Sequence, residues 1–291
     1  MPQDTPKTAP PAAPAPEAAE RLDFARQIAL EAGAVTLQHF RSKSLSVDRK
    51  SDDSPVTIAD RDAEELLRKR ISERFPDDAI LGEEFGEKPG VSGLRWVLDP
   101  IDGTKSFIHG APLYTTLIAV LDEREAESAA GEPLLGVINA PATGETVWAA
   151  VGGGCWSEDR GVGGRDAEAP TRCRVSSTEA LAEGLLLTTA ARTFRRREPD
   201  AFDVYTSLQD KSRLTRTWGD AYGYLMVATG RAEVMIDAEM SLWDAAALKP
   251  IIEEAGGRFC DWSGEATVHS GEAIATNGLV ADEVLAHTRG R

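Results

Sequence analysis

Apolar side chains at positions 22, 25, 28, 29, 32, 35 and 40 recur every three or four residues, a spacing that predicts an amphipathic helix over 22–40. A second helix is predicted over 59–75, with Leu66, Leu67, Ile71 and Phe75 on its apolar face and Pro76 ending it. Between them, 41–56 reads as strand or loop, with a polar turn at 50–55. The period then changes. Short apolar runs at 95–98, 115–121, 134–139 and 146–150 have strand character, with turns rich in Gly, Pro and Glu between them. The first run is expected to stop at Asp99-Pro100, and 157–170 reads as a polar loop without a period. Further on, strands are predicted at 174–176, 185–189, 214–217, 234–237 and 273–276. Helices are predicted at 199–210, 220–229, 244–255 and 280–287, the third stopped by Gly256-Gly257. The elements interleave without a clean βαβ period, so the expected class is layered α+β rather than a simple parallel sheet.

Composition narrows the picture. Residues 1–20 are rich in Pro and Ala and lack the apolar stretch of a signal peptide, so a disordered, partly polyproline-like tail is expected there. The remainder of a 291-residue chain that is 42% hydrophobic suffices for one large domain or two smaller ones. With 48 acidic and 32 basic side chains the net charge is −16, which argues against nucleic acid and anionic membranes as partners. No apolar run approaches the roughly 20 residues that span a bilayer. Cys155, Cys173 and Cys260 are odd in number and lack a CxxC, so neither a disulfide framework nor a thiolate zinc site is indicated. A reducing compartment, the cytoplasm, is the expected location.

The densest chemistry lies at 96–107, WVLDPIDGTKSF. Asp99 and Asp102 stand three apart after an apolar strand, Pro100 fixes the backbone between them, and Gly103 permits a sharp turn. Thr104 then opens a short helical segment. A rigid carboxylate pair beside a helix start suits Mg²⁺ and phosphate. Taken alone, the stretch also reads as an Asp-rich turn. Other acids stand in supporting places: Glu83-Glu84 after Gly82, and Asp244 at the start of an apolar helix, where a simple cap is the alternative. Acids gathered at strand ends and helix starts are what a multi-metal phosphate site needs.

Together these segments resemble the inositol monophosphatase-like, magnesium-dependent phosphatases. WVLDPIDGTKSF matches the first signature of that family and WDAAALKPIIEEAGG at 243–257 the second. Gly82-Glu83-Glu84 and the loop from Lys50 to Asp60 match two further segments, in family order, over roughly 21–288. The resemblance implies a sandwich of alternating helices and sheets. It also implies an N-terminal lobe at 21–155 with most metal ligands and a C-terminal lobe at 156–291 completing the site. Glu83, Asp99 and the Ile101 carbonyl match the ligands of one Mg²⁺, and Asp99, Asp102 and Asp244 those of a second. Glu83 would serve a third, weakly held ion through waters. Asp60 and Thr104 match the pair that activates the attacking water, and the Gly103 and Thr104 N–H groups would hold the phosphate. The reaction implied is in-line hydrolysis of a phosphomonoester without a covalent intermediate, by an enzyme that is usually a homodimer.

Within the family, Lys105, the run at 112–119, WAAVGGGCW at 148–156, Trp218-Gly219-Asp220 and Leu248 resemble the histidinol-phosphatase branch. That branch implies substrate contacts at Asp220 and Asp237, with Glu239 nearby. Acids around the leaving group suit the ammonium of histidinol phosphate. A helix cap for Asp220 and a solvated turn for Asp237 and Glu239 are the plainer alternatives. Inositol 1-phosphate is the nearest rival substrate, with nucleotide 3′-phosphates and fructose bisphosphate further off. A non-catalytic regulatory or scaffold protein is the rival of another class. His109, Lys50 and Arg195-Arg196-Arg197 are secondary candidates. Trp156 and Trp262 read as core or interface aromatics, and His39, His269 and His287 show no partner pattern.

Overall fold

Pro16, whose fixed φ suits a first helical turn, begins the helix Pro16–His39. In this computed structural model the described residues are 14–42, 47–49, 55–124, 131–161 and 169–289. The expected tail at 1–13, Lys50 with the turn at 50–54, and 162–168 of the polar loop lie outside them. Residues 16–20, expected to belong to the tail, are helical.

Pro16–His39 and Ile58–Arg74 pack side by side on one face of an eight-stranded sheet. In spatial order its strands are Thr171–Arg172, Gly154–Asp159, Glu145–Ala150, Glu132–Ala140, Thr115–Asp122, Leu94–Asp102, Ala79–Gly82 and Gly86–Lys88. All pairings are antiparallel except that of Ala79–Gly82 with Leu94–Asp102. Trp96, Leu98, Ile118, Val120 and Val137 face the two helices, while Val97, Leu117, Ala119 and Ile138 face the opposite core. With both faces covered, the strands read as continuous apolar runs rather than alternating ones.

The opposite core is filled by Ala221–Ala228 and Leu248–Glu254, which separate this sheet from a second one. The second sheet has the order Leu214–Arg216, Leu185–Leu187, Val234–Asp237, Ala273–Thr276, Arg258–Cys260. Its first three strands are parallel, and Ala273–Thr276 pairs antiparallel with both of its neighbours. Phe202–Lys211 and Ala281–Thr288 cover its far face through Val204, Leu208, Val284 and Leu285. The result is five layers, helix–sheet–helix–sheet–helix, in the α+β class expected. Among the described residues, no helix is long and apolar enough to cross a membrane.

Several boundaries differ from expectation. Leu94–Asp102 does not stop at Asp99-Pro100 but runs through the carboxylate pair, and its register with Thr115–Asp122 shifts between Asp99 and Asp102. Pro100 has no N–H to give the ladder, and the irregularity accommodates it. The helix expected at 244–255 is two pieces, Leu242–Ala245 and Leu248–Glu254. Pro250 cannot donate to Ala246, four residues back, so the helical ladder is interrupted there. Residues 174–176 form no strand, whereas Gly154–Asp159 and Arg258–Cys260 are strands the pattern did not suggest. A boundary between 155 and 156 would cut Gly154–Asp159, since the first sheet continues to Arg172.

One buried polar link ties helix to sheet. Asn139 is buried, donates to the Ala29 carbonyl (3.0 Å) and accepts from Thr146 Oγ1 (3.0 Å). Asn139→Ala strands both partners, and urea unfolding is expected to report a loss of about 2 kcal/mol.

Candidate metal and phosphate site

Two elements from different layers converge at one cavity. Leu94–Asp102 supplies Asp99 and Asp102 at its end, and Leu242–Ala245 supplies Asp244. Carboxylate oxygens of these three aspartates all lie within 4.8 Å of one another. Gly103, at φ 84°, turns the chain from the strand into the short helix Thr104–Ile108. A Cβ there would stand 2.9 Å from Asp220 Oδ2 and 3.2 Å from the Leu113 carbonyl, so only glycine fits. Glu83 follows the neighbouring strand Ala79–Gly82, and its N–H donates to the Leu98 carbonyl at 3.2 Å. Glu83, Asp99, Asp102, Thr104, Asp220 and Asp244 line the cavity, whose volume is about 330 Å³.

Helix capping fixes two of the acids. Thr57 caps Ile58–Arg74, and Asp60 answers as the third helical residue, its Oδ2 accepting from Thr57 N (2.8 Å) and Oγ1 (2.6 Å). Asp60 is fully buried and its Oδ1 has no hydrogen-bond partner. The strand Pro55–Thr57 packs against Thr104–Ile108, and Pro55 lines the cavity. Asp244 repeats the device, taking the Ser241 N–H at 2.7 Å within a second capping box. Asp99 Oδ1 accepts from Ile101 N (3.0 Å), and Asp102 Oδ2 from Thr115 Oγ1 (3.3 Å) and the Ala221 N–H. Thr104 Oγ1 donates to the Ile101 carbonyl at 3.2 Å.

This much negative charge out of water is costly, and the acids register it. Burial, then the charges of Glu83, Asp102 and Asp244, hold Asp99 well above the usual carboxylate range. Burial, then Asp220 and Asp244, do the same to Asp102 against the Ala221 N–H. Burial raises Asp60 to about 6 despite its Thr57 hydrogen bonds, with Glu83 adding. Asp244 rises to about 6, mainly through burial and against the Ser241 N–H. Three converging carboxylates, strained by their own repulsion, form a donor set that fits a hard divalent cation, while Asp60, with its orphaned Oδ1, is not among the residues lining the cavity.

Asp220 and Asp237 occupy a second wall. Asp220 begins Ala221–Ala228 at φ 52°, unusual for a non-glycine residue, and its N–H donates to Thr189 Oγ1 at 2.9 Å. Burial, with Asp237 adding and Lys105 opposing, raises its carboxyl to about 7. Asp237 is buried and accepts from Thr188 Oγ1 (3.2 Å), Thr189 N (2.8 Å), Thr189 Oγ1 (3.1 Å) and Tyr224 OH (3.3 Å). It faces a cavity of only about 60 Å³ that Asp220 and Glu239 share. It is therefore no solvated turn: Asp237 holds Thr189, which in turn holds Asp220. The exposed Glu239 is paired with Arg196.

Other candidates lie elsewhere. The exposed His109 ring rests on the Lys105 carbonyl. His39 pairs with Asp62, His269 with the Gly131 carbonyl and His287 with Ser207. Arg195 stacks on Phe202 and Arg197 over Trp262, which is a core residue. Thr189 could not be singled out in the sequence because a threonine pair after a short strand carries no motif. Its only cue was its place at the end of the apolar run Leu185–Leu187.

A profile of the inositol monophosphatase family matches residues 17–291. A histidinol-phosphatase from Chlorobaculum parvum is 43% identical over 270 residues, spanning 91% of this chain and 95% of its own. A histidinol-phosphatase from Streptomyces coelicolor is 36% identical over 276 residues, 95% of this chain and 99% of its own. Among solved structures, an IMPase from Thermotoga maritima superposes with a TM-score of 0.77 at 30% identity, covering 92% of this chain and 96% of its own. The five layers, the converging aspartates and a match over nearly the whole length agree: this chain belongs to the inositol monophosphatase family.

Proposed function

We propose that the protein is a Mg²⁺-dependent phosphomonoesterase that hydrolyses L-histidinol phosphate to L-histidinol and phosphate, a step of histidine biosynthesis. The observation that carries the substrate is Asp220, a half-buried acid on the cavity wall beside the aspartate cluster and outside it. A half-buried carboxylate pushed to about 7 gains most from a ligand that brings its own positive charge, and the ammonium of histidinol does so. The similarity to histidinol-phosphatases supports the same choice.

In this reading Glu83, Asp99 and the Ile101 carbonyl would hold one cation, Asp99, Asp102 and Asp244 would hold a second, and Glu83 would also serve a third. Bound there, Mg²⁺ neutralises phosphate oxygens, makes a water acidic and stabilises the leaving alkoxide. The chain does the rest. The Gly103 and Thr104 N–H groups, at the start of Thr104–Ile108, receive the phosphate. Thr104, anchored on the Ile101 carbonyl, orients the attacking water, and the free Oδ1 of Asp60 accepts its proton. Asp220 meets the substrate ammonium, and Asp237 contributes to that subsite by holding Thr189. The same reading carries a cytoplasmic homodimer with no nucleic-acid or membrane partner.

The test compares kcat/KM for L-histidinol phosphate and inositol 1-phosphate with Mg²⁺. Histidinol phosphate is expected to lead by about 10- to 100-fold, the worth of one charge-assisted contact, and Asp220→Asn to erase most of that lead. A preference for inositol 1-phosphate discards the substrate and keeps the phosphatase. No Mg²⁺-dependent release of phosphate from any phosphomonoester leaves the scaffold reading instead.

A further inference from the structure

Glu64 is fully buried, yet it lies outside the cavity and among none of the family segments described above. It stands one turn after Asp60 on Ile58–Arg74, hence on the same face of that helix. Its carboxylate reaches across to the turn that carries Glu83. Oε2 accepts from Glu84 N at 2.7 Å, and Oε1 from Phe85 N at 3.2 Å. Arg68, one turn further on, donates its Nε to Oε1 at 2.6 Å and its other end to the Gly86 carbonyl. Gly82 completes the fit: a Cβ at that position would lie 2.0 Å from Glu64 Oε1. The absence of a side chain at 82 is thus the space that the carboxylate fills.

The turn is held from two sides. On one, Glu83 N bonds Leu98 in the strand that bears Asp99 and Asp102. On the other, Glu64 and Arg68 grip the residues immediately after Glu83. A buried carboxylate–guanidinium pair adds little net stability, because desolvation consumes most of the attraction. Its effect here is geometric, fixing the distance between the helix of Asp60 and the turn of Glu83.

We propose that Glu64 is a positioning residue that presets Glu83 for cation binding and keeps it in register with Asp60. This rests on the reading of Glu83 as a cation ligand. Glutamine at 64 keeps the volume but replaces one acceptor oxygen by an NH₂, so either the Glu84 N–H or the Phe85 N–H together with Arg68 Nε loses its acceptor, and the pairing with Arg68 loses its negative charge. Partners that orient a ligand from behind typically change metal affinity by about 10- to 100-fold.

The experiment is calorimetric titration of Mg²⁺ into the full chain stripped with EDTA. Glu64→Gln is expected to bind Mg²⁺ about 10- to 100-fold more weakly with its circular dichroism intact, and its turnover to recover as Mg²⁺ is raised. Glu83→Gln is the control, and adding Glu64→Gln to it is expected to cost little more, because Glu64 acts through Glu83. Wild-type affinity in folded Glu64→Gln, beside a weakened Glu83→Gln, overturns the positioning role. Wild-type affinity in Glu83→Gln overturns the ligand reading on which it rests. If Glu64→Gln does not fold, Arg68→Met loosens the grip from its partly exposed side. That variant is expected to weaken binding by about 3- to 10-fold, and an unchanged affinity overturns the proposal.

Discussion

Asp99→Asn is expected to lower kcat/KM by about 1,000-fold or more with any phosphomonoester, since groups that merely support a ligand already account for about 10- to 100-fold. Asp99 lies at the centre of the repulsion, with Glu83, Asp102 and Asp244 all acting on it. Asparagine keeps the Oδ1 that accepts from Ile101 N, so the local backbone is retained. The same substitution removes a buried charge from a crowded cluster. It is therefore expected to raise the melting temperature of the metal-free protein while abolishing the stabilisation that Mg²⁺ brings. Steady-state kinetics and paired melts with Mg²⁺ and with EDTA check both halves. Near-normal turnover would remove Asp99 from the cation site.

The second large effect concerns pH. At pH 5, Asp60, Asp220 and Asp244 hold protons in the folded state, with pKa values raised from 3.8 to about 6, 7 and 6. The unfolded chain has released them by then. Over this window the folded state binds more protons, so stability falls as pH rises from about 4 to about 7. Asp60 alone makes about 3 kcal/mol of that change. Asp78 has the opposite sign: burial raises it, but Arg21, Ser92 and Trp96 hydrogen bonds outweigh burial, and its contribution is lost only in stronger acid. Metal-free protein is therefore expected to melt several degrees lower at pH 7.5 than at pH 5. With saturating Mg²⁺ the slope reverses, because the cation replaces the protons and binds better once they have left. A calorimetric series at both pH values, with and without EDTA, reads the two slopes. Equal pH dependence in the two series would contradict a cation at these acids.

The sequence foreshadowed most of this arrangement, unevenly. Long apolar periods marked the helices that became Pro16–His39 and Ile58–Arg74, because each buries one continuous stripe. Strands buried on both faces marked themselves as runs, but their ends did not: Leu94–Asp102 continues through Pro100, where local propensity argues for a stop. Asp99, Asp102 and Asp244 were legible because motif and spacing travel together, and the structure brings their carboxylates together. Asp237 was visible as an acid near the site. Its burial behind Thr189 was not, since that depends on a parallel neighbour strand distant in sequence. Glu64 was invisible for the same reason: its partners at 84 and 85 belong to a turn that only the sheet brings within reach.

The three aspartates proposed as cation ligands share a feature that bears on the choice of ion. Asp99, Asp102 and Asp244 each have one carboxylate oxygen held by an N–H or O–H of the chain. Such a group extends one oxygen to a guest and keeps the other at home. A cation held there would meet single oxygens, whose directions are set by a helix cap and a strand rather than by swivelling side chains. Small ions with strict octahedral demands are served by single oxygens at fixed bearings, whereas larger ones gain from acids that can chelate with both. On this reading, discrimination between the two would follow from the cap and the strand, before any substrate has arrived.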